Sequence, residues 1–131
     1  MKTSYYAITP DTTLGAIAIS LYPPPNTRYQ QYKCLAPTKR LLSEYKYDFL
    51  DEEGYTKIYR TQLAELDPIA VWNVLHQIAD PLGKVEPILL CYERSGSFCH
   101  RRIVADWLGA AMNVEIPEFE KPSSIKQISL F

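Results

Sequence analysis

The period of the apolar residues changes along this chain, and the changes mark a succession of strands and helices. Tyr5 to Thr9 and Ala16 to Leu21 are rich in strand-forming residues and carry no helical stripe, so both read as strands. Pro23-Pro24-Pro25-Asn26 closes the second, because each proline withholds an amide donor from a sheet ladder. After Thr38, a suitable N-cap, Leu41, Leu42, Tyr45 and Phe49 recur at helical spacing. Asp51-Glu52-Glu53-Gly54 reads as a turn. A second helix is expected from Tyr55 to Leu66, with Ile58, Tyr59 and Leu63 on its apolar face. Asp67 before Pro68 opens a third, striped by Val71, Trp72, Leu75, Ile78 and Ala79 and stopped at Asp80-Pro81-Leu82-Gly83.

Pro87 to Tyr92 is a continuous apolar run, which predicts a strand covered on both faces. Ser95-Gly96-Ser97 is a tight loop, and a helix is expected from Cys99 to Met112 with Ile103, Val104, Trp107, Leu108 and Ala111 facing inward. Arg102 and Asp106 are spaced to pair on its outer face. Val114 to Ile116 reads as a last short strand. The order β-β-α-α-α-β-α-β predicts an α/β fold: a mostly parallel sheet flanked by helices on both faces, in one domain over residues 1–119. Residues 120–131, a Lys121-Pro122-Ser123-Ser124 linker and then Ile125 to Phe131, are expected as a flexible C-terminal tail.

Composition narrows the function classes. With 131 residues, 47% hydrophobic and 22% charged, the chain is ordinary globular protein. Its net charge of -1 supplies no bulk field toward nucleic acid or membrane, so anion binding needs a local cluster. No apolar run approaches the ~18 residues of a membrane span, and the N-terminus lacks the basic and apolar regions of a signal peptide. Three cysteines at irregular spacing, Cys34, Cys91 and Cys99, argue against a disulfide framework and for a reducing, cytoplasmic setting.

The candidate chemistry lies between Cys91 and Arg102. Ligands of parallel sheets collect at the carboxyl ends of strands, where Cys91 and Glu93 fall. Ser95, Gly96 and Ser97 can turn backbone amides toward an anion, and Arg94 and Arg101 can add charge to the positive end of the following helix. Cys91 or Cys99 is placed to act as nucleophile, with Glu93 and His100 as proton-transfer groups. The plainer readings are a core-filling Cys91, a structural His100 and a solvated arginine pair. Against the last, positive charge at a helix start opposes the helix dipole.

Sharper motifs fail. A phosphatase loop would have arginine where Ser97 stands. A zinc site from Cys91, Cys99 and His100 lacks a C-x-x-C pair, and neighbouring Cys99 and His100 are expected to diverge on a helix. No metal and no cofactor are expected, and there is no phosphate-binding glycine motif or nucleophile elbow.

Two resemblances add to this reading. Leu89-Leu90-Cys91-Tyr92-Glu93, followed by Phe98-Cys99-His100-Arg101 and Val104-Ala105-Asp106-Trp107-Leu108, resembles the bacterial family called domain of unknown function 488. Leu35-Ala36-Pro37, Tyr55 and Tyr59 fit the same pattern, so the likeness runs from about Tyr5 to Pro117. It implies an α/β fold and marks Cys91, Glu93, Cys99, His100 and Arg101, without a substrate. Separately, Gln127-Ile128-Ser129-Leu130-Phe131 resembles the bacterial sliding-clamp-binding peptide, departing from its preferred form by isoleucine at position 128. In such peptides the glutamine hydrogen-bonds at a pocket mouth and the Leu-Phe pair fills an apolar cleft.

Together these residues predict a DNA-associated enzyme of a bacterium or phage, delivered by the sliding clamp and acting on a nucleotide, base or phosphate-bearing substrate. The alternative is a non-catalytic nucleotide- or nucleic-acid-binding adaptor. A thiol redox protein is a third reading, one that the separation of Cys91 and Cys99 disfavours unless their sulfurs meet.

Overall fold

A computed structural model describes residues 1–119, and the tail segment Gln127 to Phe131 lies outside the described residues. Four strands, β1 (Lys2–Tyr5), β2 (Ala16–Ala18), β3 (Gln30–Gln31) and β4 (Ile88–Cys91), form one sheet in the order β1-β4-β2-β3. Every pairing is parallel, so the α/β class read from the sequence is the one observed, but with the helices packed on one face of the sheet rather than on both. β4 sits between β1 and β2, with Leu89 opposite Thr3 on one side and Ile17 on the other. Three helices, α1 (Lys39–Lys46), α2 (Glu52–Ala64) and α3 (Pro68–Ala79), lie between β3 and β4, and α4 (His100–Met112) follows β4.

The caps explain the helix starts. Thr38 Oγ1 accepts from the Leu41 amide at 3.1 Å, and Asp67 Oδ1 accepts from Ile69 at 3.0 Å ahead of Pro68. Asp51 Oδ1 accepts from Gly54 at 2.7 Å, so the stretch expected as a turn is the N-cap and acidic first turn of α2. The helix start there is three residues earlier than apolar periodicity alone placed it.

All four helices place buried residues against Ile17, Ile19 and Leu89 of the sheet, among them Leu41, Tyr59, Leu75 and Leu108. The opposite sheet face, Ala16, Ala18 and Leu90, is packed with Tyr6 and Tyr29. Tyr59 is wholly buried, and its hydroxyl donates to the Leu35 carbonyl, which satisfies the one polar atom it carries inward.

β3 lies where no strand was expected, β2 ends at Ala18 rather than Leu21, and two further strands differ from expectation. β1 starts at Lys2, and Tyr6–Ile8 is a short 3-10 turn. Its buried Thr3 and Ser4 are polar, and hydrogen bonds to Glu118 and Thr9 offset their burial. The expected strand at Val114 to Ile116 is absent. Instead Glu118 makes a single parallel bridge to Thr3, which carries the chain back along the edge of β1.

Candidate functional site

Leu89 and Leu90 have no exposed surface, and Cys91 is 1% exposed at the carboxyl end of β4. The chain then turns outward. Tyr92 to Ser97 are exposed, Ser97 N donates to the Arg94 carbonyl, and Gly96 takes φ +88°, a conformation that side-chain-bearing residues rarely adopt. This turn returns the chain to Cys99, the N-cap of α4, whose backbone is extended and whose side chain makes no capping bond. Cys91 and Cys99 therefore face each other, and they are joined as a disulfide. That corrects the expectation of three unpaired cysteines: eight residues of separation become a short span once the 94–97 turn closes. Cys34 remains free and exposed.

His100 is buried beside them. Its Nε2 lies 2.9 Å from the Ile19 carbonyl, an acceptor only, so Nε2 carries the hydrogen and Nδ1 keeps a lone pair. Burial, aided by the charge of Arg101 and opposed by the Ile19 bond, lowers its pKa to about 4, which leaves the ring neutral at ordinary pH. Nδ1 lies 3.9 Å from Cys99 Sγ. The sulfurs of Cys91 and Cys99 and a His100 ring nitrogen all fall within 4.8 Å of one another. The expected divergence of Cys99 and His100 does not occur, because Cys99 is an extended cap residue and only His100 has entered the helix.

Arg101 was expected to face a ligand phosphate. It is instead wholly buried, with Nε and Nη2 donating to the two carboxylate oxygens of Glu118 at 3.0 and 2.6 Å. Its Nη1 donates to Cys91 Sγ at 3.0 Å. Glu118 also accepts from Thr3 and from the Ser95 hydroxyl. Burial would raise the Glu118 carboxyl, but these hydrogen bonds and the Arg101 charge outweigh it and hold the pKa below its ordinary value. Arg102 turns from Asp106 to donate to Thr3 Oγ1 and the Ile116 carbonyl, both at 2.9 Å. Arg94 is exposed and makes no salt bridge among the described residues. Glu93 is exposed as well, with Oε2 3.6 Å from Cys91 Sγ.

A cleft of about 210 Å³ opens over this group. Cys91 and His100 line it together with Tyr22, Pro37, Leu42, Tyr92 and Glu93. Tyr92 donates its hydroxyl to the Tyr22 carbonyl at 2.6 Å, which ties the end of β4 to the segment after β2. A smaller cavity of about 60 Å³ reaches Cys99 and His100 from the side of Tyr45, Tyr55 and Phe98. The structure thus brings Cys91, Glu93, Cys99 and His100 together. It leaves Arg94, Gly96 and Ser97 on the outer turn and draws Arg101 and Ser95 onto Glu118. Sequence reasoning missed Glu118 and Tyr22, since a lone acid after Pro117 and a lone tyrosine before the proline run carry no motif.

A family model described as the active DUF488-N3 subclade matches residues 5–112, a span that takes in the whole cleft but stops before Glu118. No curated protein and no solved structure matches the chain. No described helix is long and apolar enough to cross a membrane.

Proposed function

The chain belongs to the DUF488 family, and from that premise we propose that the strand-end cleft is the reactive centre of an enzyme that acts on a nucleotide or its base and works beside DNA. One observation carries the reading: Cys91, Cys99 and His100 bring a ring nitrogen and two sulfurs within 4.8 Å of one another, and Cys91 and His100 line a cleft edged by Glu93. The disulfide accounts for the meeting of the two sulfurs, and core packing does not require a histidine nitrogen beside them. Glu93 is the proton-transfer group, since it alone of the four is exposed to exchange protons with water. Tyr22 and Tyr92 offer ring faces to a planar group, and the cleft has room for something the size of a single base. Arg101 is occupied by Glu118, so of the expected phosphate-binding arginines Arg94, exposed on the turn after β4, is the one left to meet a phosphate.

The DNA setting rests on Gln127 to Phe131 and their likeness to the clamp-binding peptide. Terminal peptides of this kind bind from an extended chain, and the Leu130-Phe131 pair supplies the apolar anchor.

The test incubates reduced protein with single- and double-stranded oligonucleotides and free nucleotides, and reads altered base or nucleotide mass. Product is expected from the native chain and not from Glu93→Gln. Equal yields from the two, or nucleotide binding that never leads to product, would replace this reading with that of an adaptor. Recruitment is checked separately by pulldown of the sliding clamp with and without residues 127–131. Equal recovery would remove the clamp as a partner.

A further inference from the structure

We propose that the reduced chain holds one zinc ion on Cys91 Sγ, Cys99 Sγ and His100 Nδ1, with the fourth position open to the cleft beside Glu93. The inference deepens the reading of the cleft as a reactive centre and rests on it.

Four observations point to a metal. First, the three donor atoms come from residues that are all buried and lie within 4.8 Å of one another, so opening the disulfide frees two sulfurs beside a histidine nitrogen, close enough for one ion to gather all three. Second, His100 Nε2 is anchored on the Ile19 carbonyl at 2.9 Å, the outer bond that fixes ring orientation in metal-ligating histidines. Nδ1 is left facing inward with only the Cys99 sulfur near it, at 3.9 Å. Third, Arg101 Nη1 donates to Cys91 Sγ at 3.0 Å, a contact that would stabilise negative charge on the sulfur once the disulfide is reduced. Fourth, the Cα atoms of Cys91 and Cys99 are 7.5 Å apart, beyond the ~4.4–6.8 Å that disulfides usually span. Two thiolates on a tetrahedral zinc ion, with Zn–S of ~2.3 Å, have sulfurs about 3.8 Å apart, so a wider backbone spacing suits sulfurs that share a third atom.

The ligand set selects the ion. Two thiolates and an imidazole favour zinc over the hard, oxygen-seeking cations. On binding, each thiol releases its proton to solvent and gives a lone pair to the ion, while the imidazole gives its Nδ1 lone pair and keeps its Nε2 hydrogen. Three protein ligands with a vacant fourth place are the pattern of zinc sites that do chemistry, whereas structural sites close with four.

The experiment reduces the full-length protein with a phosphine under argon, strips it with a chelator, and titrates it with Zn2+ and, separately, with Co2+. About one ion per chain is expected, with the sulfur-to-cobalt charge-transfer absorption of a thiolate site. On the unaltered chain, N-ethylmaleimide should label Cys34 at the same rate with and without zinc, while zinc protects Cys91 and Cys99. Cys34→Ser should keep the metal, and Cys99→Ser should lose it. Because a cysteine variant could also misfold, thiol protection on the native chain decides the matter. No bound metal, or Cys91 and Cys99 labelled as fast with zinc as without it, overturns the proposal. No bound metal together with product from the stripped protein would overturn the metal and leave the enzyme standing. Metal bound without any product would do the reverse.

Discussion

Arg101 carries a permanent positive charge to a place with no exposed surface, and three acceptors share it: both oxygens of Glu118 and the sulfur of Cys91. The Glu118 side chain is only 15% exposed, so the pair is poorly screened. Glu118→Ala would strand the guanidinium, and urea unfolding should show a loss of about 3–5 kcal/mol. The same pair sets an acid limit. A carboxyl whose folded pKa lies below its unfolded value near 4.5 stabilises the fold above that value. That contribution fades as pH falls below 4.5 and is gone once pH passes the folded pKa. The urea midpoint of the native chain should therefore drop more steeply below pH 4.5 than that of Glu118→Gln. Sequence alone misplaced Arg101 because two adjacent arginines opening a helix look alike. Which one turns inward depends on a carboxylate 17 residues further along.

At the scale of elements, the segments with long, regular apolar patterns were legible. β4, α3 and α4 lie where the periodicity put them, with Asp67-Pro68 marking the start of α3. β1 and β3 were not legible as they stand. Lys2-Thr3-Ser4 and Gln30-Gln31 are polar, and their place in the sheet comes from the neighbouring strands. The end of α4 shows a constraint that pattern cannot reveal. Asn113 adopts a left-handed cap at φ 54°, and the chain folds back so closely that a Cβ on Gly109 would meet the Val114 carbonyl at 2.7 Å. Gly109→Ala should lower stability by about 1–3 kcal/mol in thermal or urea melts, because the obstructing atom is backbone and cannot rotate away.

Across the whole molecule, the parallel sheet explains why the site exists. Placing β4 between β1 and β2 sets Cys91 beside the residues that follow β2, which brings the Ile19 carbonyl to His100 and Tyr22 to the cleft. The sequence reading put the candidate site on one strand-loop-helix segment. The contributions of Tyr22, Pro37 and Leu42 came from strand order, which periodicity does not encode. Tyr22 is 60% exposed, so its ring adds little to the fold. Tyr22→Ala should leave the urea midpoint nearly unchanged. If the ring stacks on a base, product formation should fall about tenfold, in line with the ~1–3 kcal/mol of such contacts. Unaltered turnover would remove Tyr22 from substrate recognition.

Glu118 also sits at a junction. It bridges to Thr3 beside β1, while Phe119 N donates to the Thr3 carbonyl at 2.7 Å. From that carboxylate, one guanidinium leads to the Cys91 sulfur. The linkage from the Glu118 backbone to the sulfur is therefore two side chains long. Tension applied at residue 119 would be felt at Cys91 through that short linkage.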